Sequence, residues 1–294
     1  MDAAGYYSDL TAHYERYAGA SHGWHYGVWE DDVESHTAAL LRSNEMLLRG
    51  LDVTPATRIL DVGFGIGGFA VWAARRFGAA VTGITVAEDH LAMARALAAT
   101  QAVSAHCEFR LMDMNELAFA DRPFDVVVNQ ETFCHADDKA AYLAAVYRVL
   151  RPGGAWRAVD FSVQEAPLDA AGRRSYDAVC EGFHLPSMAP ASATADMLAR
   201  AGFDAIECHD LSPLVLKTAT HILRACYLPL VMTRLRLDWT FRPRDARQRR
   251  NRQGHVTAAY HYSRGLRSGL FRHAFYAARK PSAARPDPSP AWTS

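Results

Sequence analysis

From residue 58 onward the apolar positions come in two kinds of run, separated by glycine, proline and polar clusters. Compact runs rich in Val, Ile and Leu predict strands at 58–62, 80–84, 106–112, 124–129 and 154–162. Between them, apolar residues recur at helical spacing and predict helices at 67–77, 87–99 and 137–150. Further on, 166–203 reads as helical and irregular, Ala205–Leu211 as a strand, Leu214–Leu237 as a long apolar helix and Leu270–Lys280 as an alternating strand. Residues 6–50 read as helical and are rich in aromatics. Arg151-Pro-Gly-Gly154 reads as a turn, because proline stops the preceding helix and the glycines open the next strand. Strand–helix alternation implies an α/β fold, with a doubly wound, mostly parallel seven-stranded sheet covered on both faces. Such sheets bind ligands at the carboxyl ends of their strands. The expected organisation is a helical lid (1–50), a ligand-binding core (51–165), and a helical cap inserted before the last strands (166–280). A Pro-, Ser- and Ala-rich tail (281–294) is expected to be disordered.

Half the residues are apolar and 22% are charged, an ordinary globular balance that sets aside the disordered and fibrous classes. The first residues show no basic region followed by an apolar stretch, so a cytoplasmic chain is expected. The most membrane-like run, Leu214 to Met232, is interrupted by Lys217, His221, Arg224 and Pro229, and reads as a buried or interfacial helix. The cysteines (107, 134, 180, 208 and 226) are widely and irregularly spaced without a C-x-x-C, which fits reduced thiols rather than zinc or a disulfide framework. His22 and His25 lack a third ligand, so no metal site is expected.

Zero net charge hides an asymmetry. Residues 223–280 hold 14 Lys/Arg against Asp238 and Asp245, and six arginines crowd between Arg242 and Arg252. Two readings stand: a solvated basic face, or peripheral contact through Arg242–Arg252 with an anionic lipid surface or a diphosphate. Nucleic acid is not an expected partner, because no aromatics suited to base stacking are interleaved.

The densest chemistry lies in Ile59-Leu-Asp61-Val-Gly63-Phe-Gly65-Ile-Gly67-Gly68, a strand running into a glycine-rich turn. Glycines let backbone approach a ligand closely, and Asp61 stands ready to accept from a cationic amino group. Gly63, Gly65 and Gly68 also fit the dinucleotide fingerprint. That reading needs an acid about 20 residues on, where this chain has Thr85-Val-Ala. Later strands end in Met112-Asp113-Met114, an acid suited either to an adenine amino group or to a helix N-cap, and in Asn129-Gln-Glu131-Thr-Phe-Cys-His135. Tyr147-Arg-Val-Leu-Arg-Pro-Gly-Gly154 precedes the fifth strand.

Together these segments resemble class I S-adenosyl-L-methionine-dependent methyltransferases over about residues 55–165. The resemblance implies that Asp61, Gly63, Gly65 and Gly67 hold the methionine portion of that cofactor. It implies that Asp113 with Met114 meets the adenine, that Thr85 and His90 lie near the ribose, and that Asn129 stands at the same edge. Within the superfamily the chain is most similar to sterol 24-C-methyltransferases. The likeness lies in Tyr6-Tyr7…His22-Gly-Trp24-His-Tyr26, in Glu131-Thr-Phe-Cys134-His135-Ala136 and in the closing Leu270-Phe…Ala277-Ala-Arg-Lys-Pro281. Related prenyl-diphosphate, tocopherol and natural-product methyltransferases share parts of the pattern.

The expected activity is methyl transfer to a small, largely apolar acceptor, foremost carbon methylation of an isoprenoid, with oxygen or nitrogen methylation of a natural product as the alternative. Carbon methylation leaves a carbocation, which aromatic faces stabilise. Tyr6, Tyr7, Trp24, Tyr26 and Trp29 are therefore expected to wall the acceptor, unless they are simply the core of a lid. Glu131 or His135 is then the candidate base, with Asp160 or His135 for a hydroxyl or amine. Glu181 and His184 are further candidates from the cap, and a mostly apolar cavity walled by residues 6–29 and 180–235 is expected. A non-catalytic protein that binds the cofactor or a lipid surface is the rival from another class.

Overall fold

Among the described residues, seven strands form one sheet: β1 (Arg58–Val62), β2 (Ala80–Thr85), β3 (Cys107–Leu111), β4 (Phe124–Gln130), β5 (Leu150–Val163), β6 (Asp204–Asp210) and β7 (Phe271–Arg279). The computed structural model describes residues 3–17, 21–119, 124–235, 237, 243 and 245–282, with side chains of 3 and 12–17 excluded. The strand order is β3-β2-β1-β4-β5-β7-β6. β1 to β5 run parallel, and β7 lies antiparallel between β5 and β6. The chain winds outward from β1 to β3, then returns to place β4 on the other side of β1. Reversal of this kind opens a crevice above the strand ends, here between β1 and β4.

Burial follows the pleat. Ile59 packs on one face with Phe69 and Val71, whereas Leu60 and Val62 pack on the other with Tyr142, Leu143 and Trp156. Both faces of β1 are thus covered, which is why its sequence after Arg58 is apolar at every position but Asp61. Helix α3 (Gly68–Phe77) lies on the first face; it turns Ala70, Ala73 and Ala74 inward and stops at Gly78, at φ 69°. The remaining helices are α4 (Glu88–Thr100), α5 (Lys139–Val149), α6 (Ala170–Phe183), α7 (Ala191–Arg200), α8 (Ser212–Arg234) and α9 (Ala246–Ser268). Asp138 and Asp169 cap α5 and α6 by accepting from the backbone N–H of Ala141 and Gly172.

The N-terminal region is not continuously helical. It comprises α1 (Ala3–Tyr17), an irregular arm spanning 21–35, and α2 (His36–Leu48). The arm must pass very close to α2, since a Cβ on Gly27 would stand 2.7 Å from that of Ala39. Arg151-Pro-Gly-Gly154 is not a free turn either. It belongs to β5, where the β4 register shifts between Phe124 and Val126. Sequence patterning assigned no element to α9, because its first turns are almost wholly polar. Two end signals were nevertheless present: Asp245 accepts from Gln248 N, and Gly269 closes the helix at φ 80°. The tail from 283, Arg242 and Arg244, and the Tyr14 and Tyr17 side chains lie outside the described residues.

Candidate active site

The carboxyl ends of β1 to β4 open into one cavity, roofed by Tyr7 of α1 and by His22, Trp24 and His25 of the arm. The glycines below it do different work. A Cβ on Gly65 (φ 56°) would meet nothing within 4 Å, so this residue borders open space for a ligand. Gly63 admits Thr132, whose Cγ2 would lie 2.5 Å from a Cβ there. Gly67 and Gly68 serve packing: their Cβ atoms would strike the Ala94 Cβ at 2.8 Å and the His22 carbonyl oxygen at 2.4 Å. Gly67, expected at the ligand, instead seats α3 against α4 and does not line the cavity.

Asp61 lines this cavity yet is only 2% exposed, and its Oδ2 has no hydrogen-bond partner. Burial raises its pKa to about 7. A buried carboxyl oxygen left without a donor costs about 1–3 kcal/mol, which a cationic or N–H group in the cavity would relieve. Thr85, His90, Asp113 and Met114 also reach the cavity wall. Burial lowers the His90 pKa to about 4, so that ring is neutral at pH 7. Exposed Asp113 caps a short 3-10 turn, its Oδ1 accepting from Asn115 N at 2.8 Å. The cap and a place at the cavity coexist.

At the other end, β4 leads into Glu131, which holds φ 54°, a strained conformation for a non-glycine residue costing about 1–3 kcal/mol. It is held there by Glu131 N donating to Val159 O at 2.8 Å and by its Oε1 accepting from Tyr26 N at 2.5 Å. Glu131 therefore pins the arm to the sheet while facing the cavity. Burial raises its pKa, and burial lowers that of His273 to about 3. The 3.5 Å approach of His273 Nε2 to Oε1 is accordingly not an ion pair, because burial keeps the imidazole neutral. His135 Nε2 lies 2.6 Å from the Tyr7 hydroxyl, and burial lowers the His135 pKa to about 4. Which of the two atoms donates in the Tyr7–His135 bond follows the imidazole tautomer.

Several expected residues stand elsewhere. Asn129 is fully buried, accepting from Tyr142 Oη (2.7 Å) and Trp156 Nε1 (2.8 Å) and donating to Thr132 Oγ1 (2.9 Å). It is a hub of the core, not a cofactor ligand. Asp160 lies beneath the cavity, accepting from Cys134 N (3.1 Å) and Phe161 N (2.7 Å), and so shapes the loop that carries His135. Tyr6 turns away to Gly182 O (3.2 Å) and His255 Nδ1 (2.8 Å). Tyr26 reaches Ser263 Oγ (2.9 Å) in the core, and Trp29 donates to Thr218 Oγ1 (2.9 Å) under the Lys217 ammonium. Of the aromatic set only Tyr7 and Trp24 face the cavity. Its cap-side wall is His184 and Pro186, without Glu181 or any residue from 187–235, so its surroundings are aromatic and imidazole-rich rather than mostly apolar. His22 and His25 line the cavity, and the described residues hold no cluster able to bind a metal. As cavity residues they had one sequence signal, the glycines that bracket them.

Residues 59–154 match a family model described as "Methyltransferase domain". The chain is 33% identical over 207 residues to methyltransferase GfsG of Streptomyces halstedii, covering 68% of this chain and 73% of that one. It is 30% identical over 219 residues to the chloroplastic tocopherol O-methyltransferase of Arabidopsis thaliana, covering 66% of this chain and 63% of that protein. Among solved structures, the [4+2]-cyclase SpnF superposes with a TM-score of 0.76 at 23% identity, over 95% of this chain and 96% of that one. At that identity the likeness speaks to the fold alone.

Proposed function

Because the chain belongs to the class I S-adenosyl-L-methionine-dependent methyltransferases, we propose that it places the methyl group on a hydroxyl oxygen of a small acceptor. When bound, S-adenosyl-L-methionine supplies a methyl on a sulfonium, electrophilic without further activation. The residues fit it. Asp61 offers its unpartnered oxygen to the ammonium of the methionine part. Gly65 leaves room for the ligand beside it. Exposed Asp113 offers an acceptor to the adenine amino group, between Met112 and Met114, and Thr85 and His90 serve the ribose side.

The protein's remaining task is to orient the acceptor and remove its proton. The observation that carries the hydroxyl reading is the Tyr7–His135 pair, 2.6 Å apart in the cavity wall. Burial keeps His135 neutral at physiological pH, so in the tautomer whose Nε2 accepts from Tyr7 it takes a proton directly or through that hydroxyl. Asp160, fixed below, positions the loop rather than reacting. A second reading, carbon methylation of an isoprenoid, is favoured by Glu131, a desolvated carboxyl in the same wall that suits removal of a proton from a carbocation.

Turnover of a hydroxylated acceptor series with methyl-labelled donor separates the two. On the hydroxyl reading the label is released by ether-cleaving reagents. His135→Asn then lowers kcat about 10²–10⁴-fold with donor affinity unchanged. Label that resists cleavage, with turnover lost in Glu131→Gln and kept in His135→Asn, refutes it in favour of the carbon acceptor.

A further inference from the structure

The second half of α8 buries Cys226 against the core and leaves its opposite face open to solvent. Its first half is docked: the Leu214 carbonyl accepts from Trp29 N at 2.8 Å, Thr218 holds the Trp29 indole, and Val215 and Ala219 are fully buried. From Arg224 onward the helix turns apolar side chains to solvent, with Tyr227 70%, Leu228 64% and Leu235 63% exposed and Val231 beside them at 36%. Positions 227/228, 231 and 235 recur every three to four residues and so share one face. Leu237, just past the helix, is 53% exposed.

The formal charges within α8 and α9 are of one sign. α8 carries three basic residues and α9 six, and neither contains an Asp or Glu. The two helices run antiparallel. Ser212, at the start of α8, accepts from His273 N, and α9 runs through Gly269 into β7 beside that residue. Exposed Arg250, near the start of α9, therefore lies toward the C-terminal end of α8, as do exposed Arg224 and Arg234.

We propose that this end of the α8–α9 pair docks on an anionic lipid surface. Leu228, Val231 and Leu235 enter the interfacial layer, and Arg224, Arg234 and Arg250 meet headgroup phosphates. An apolar stripe bordered by cations suits that boundary, where buried apolar area and Coulomb attraction add. A second copy of this chain on the same face would bring two basic borders together with no acid in either helix to offset them. The helix lies on the bilayer and does not cross it. Residues 224–235 extend about 18 Å at the helical rise, short of the roughly 30 Å hydrocarbon core, and the first half of α8 is held in the fold.

Sedimentation with unilamellar vesicles tests this on the full chain. Binding is expected to vesicles containing phosphatidylserine, to weaken as ionic strength rises, and to be at least about tenfold lower on phosphatidylcholine alone. Leu228→Asp combined with Leu235→Asp is expected to lower partitioning about tenfold or more, and Arg224→Glu with Arg250→Glu to remove the preference for anionic lipid. All four side chains are exposed, so circular dichroism and donor binding stay unchanged and serve as folding controls. Equal binding to both vesicle types, or none by the folded chain, overturns the proposal. So does a dimer that Leu228→Asp dissociates, which assigns the face to self-association.

Discussion

Gly68→Ala is a one-methyl probe of how the arm is placed over the cavity. The new Cβ would stand 2.4 Å from the His22 carbonyl oxygen, 2.8 Å from its carbon and 2.9 Å from the Ser21 oxygen. Those atoms are backbone, so no side chain can swing aside. Reaching an ordinary 3.4 Å contact requires the arm to lift by about 1 Å, the scale of misplacement that costs about 100-fold in rate. The strain of such overpacking is about 1–3 kcal/mol, partly offset by the roughly 1 kcal/mol helix preference of alanine over glycine. The fold should therefore survive. The arm carries His22, Trp24 and His25, whereas Asp61 and Gly65 belong to the sheet side. Steady-state kinetics with calorimetric donor binding should give kcat/KM for the acceptor reduced about 100-fold and donor affinity changed by less than about threefold. Wild-type turnover, or parallel loss of donor binding, would refute the placement of the arm.

Tyr7→Phe should resemble His135→Asn in direction, with a smaller fall in kcat if Nε2 can take the acceptor proton itself; pre-steady-state methyl transfer reads this directly. Asn129→Ala should cost about 3 kcal/mol, because the Tyr142 hydroxyl and the Trp156 indole N–H would be left buried and unpaired. Denaturant unfolding should detect that loss, with donor affinity per folded molecule unchanged. Acid should destabilise the chain well above the usual carboxylate range. His25, His90 and His135 are lowered to about 4 and His273 to about 3 by burial, from 6.5. Each contributes stability that is present above pH 6.5 and lost as pH falls toward 4, by up to about 1.4 kcal/mol per pH unit. Asp61, raised to about 7, acts oppositely, losing its contribution as pH rises through that value. Thermal unfolding between pH 7 and 4.5 should show the imidazole effect dominating, and a melting temperature flat across that range would contradict it.

Much of the sheet could be read from the chain because a doubly covered strand must be apolar at nearly every position, as 59–62 and 126–128 are. The glycine turn was equally plain, but which glycine faces ligand was not. Gly65 and Gly67 look alike in sequence and differ only in what a Cβ would meet, which depends on α4 being in place. Aromatic content misled for a similar reason. Tyr6, Tyr26 and Trp29 each carry a polar tip that finds a partner on α6, α8 or α9, and a lone segment shows nothing of those partners. Asn129 and Asp160 sit at strand ends where ligands usually bind, yet their hydrogen bonds are satisfied inward. Asp61, three residues into the first strand of the core, is the carboxylate left without a donor at Oδ2.

That oxygen allows a decisive titration. Below pH 7 Asp61 is largely protonated in the free protein, and pairing with the donor's ammonium requires it ionised. Calorimetric titration of S-adenosyl-L-homocysteine at pH 6, repeated in buffers of different ionisation enthalpy, should show saturable binding with release of close to one proton. In Asp61→Asn that release should vanish and affinity should fall about 100-fold, the loss of a charge-assisted pair. Binding without proton release, or equal affinity in Asp61→Asn, would contradict the role given to this carboxylate.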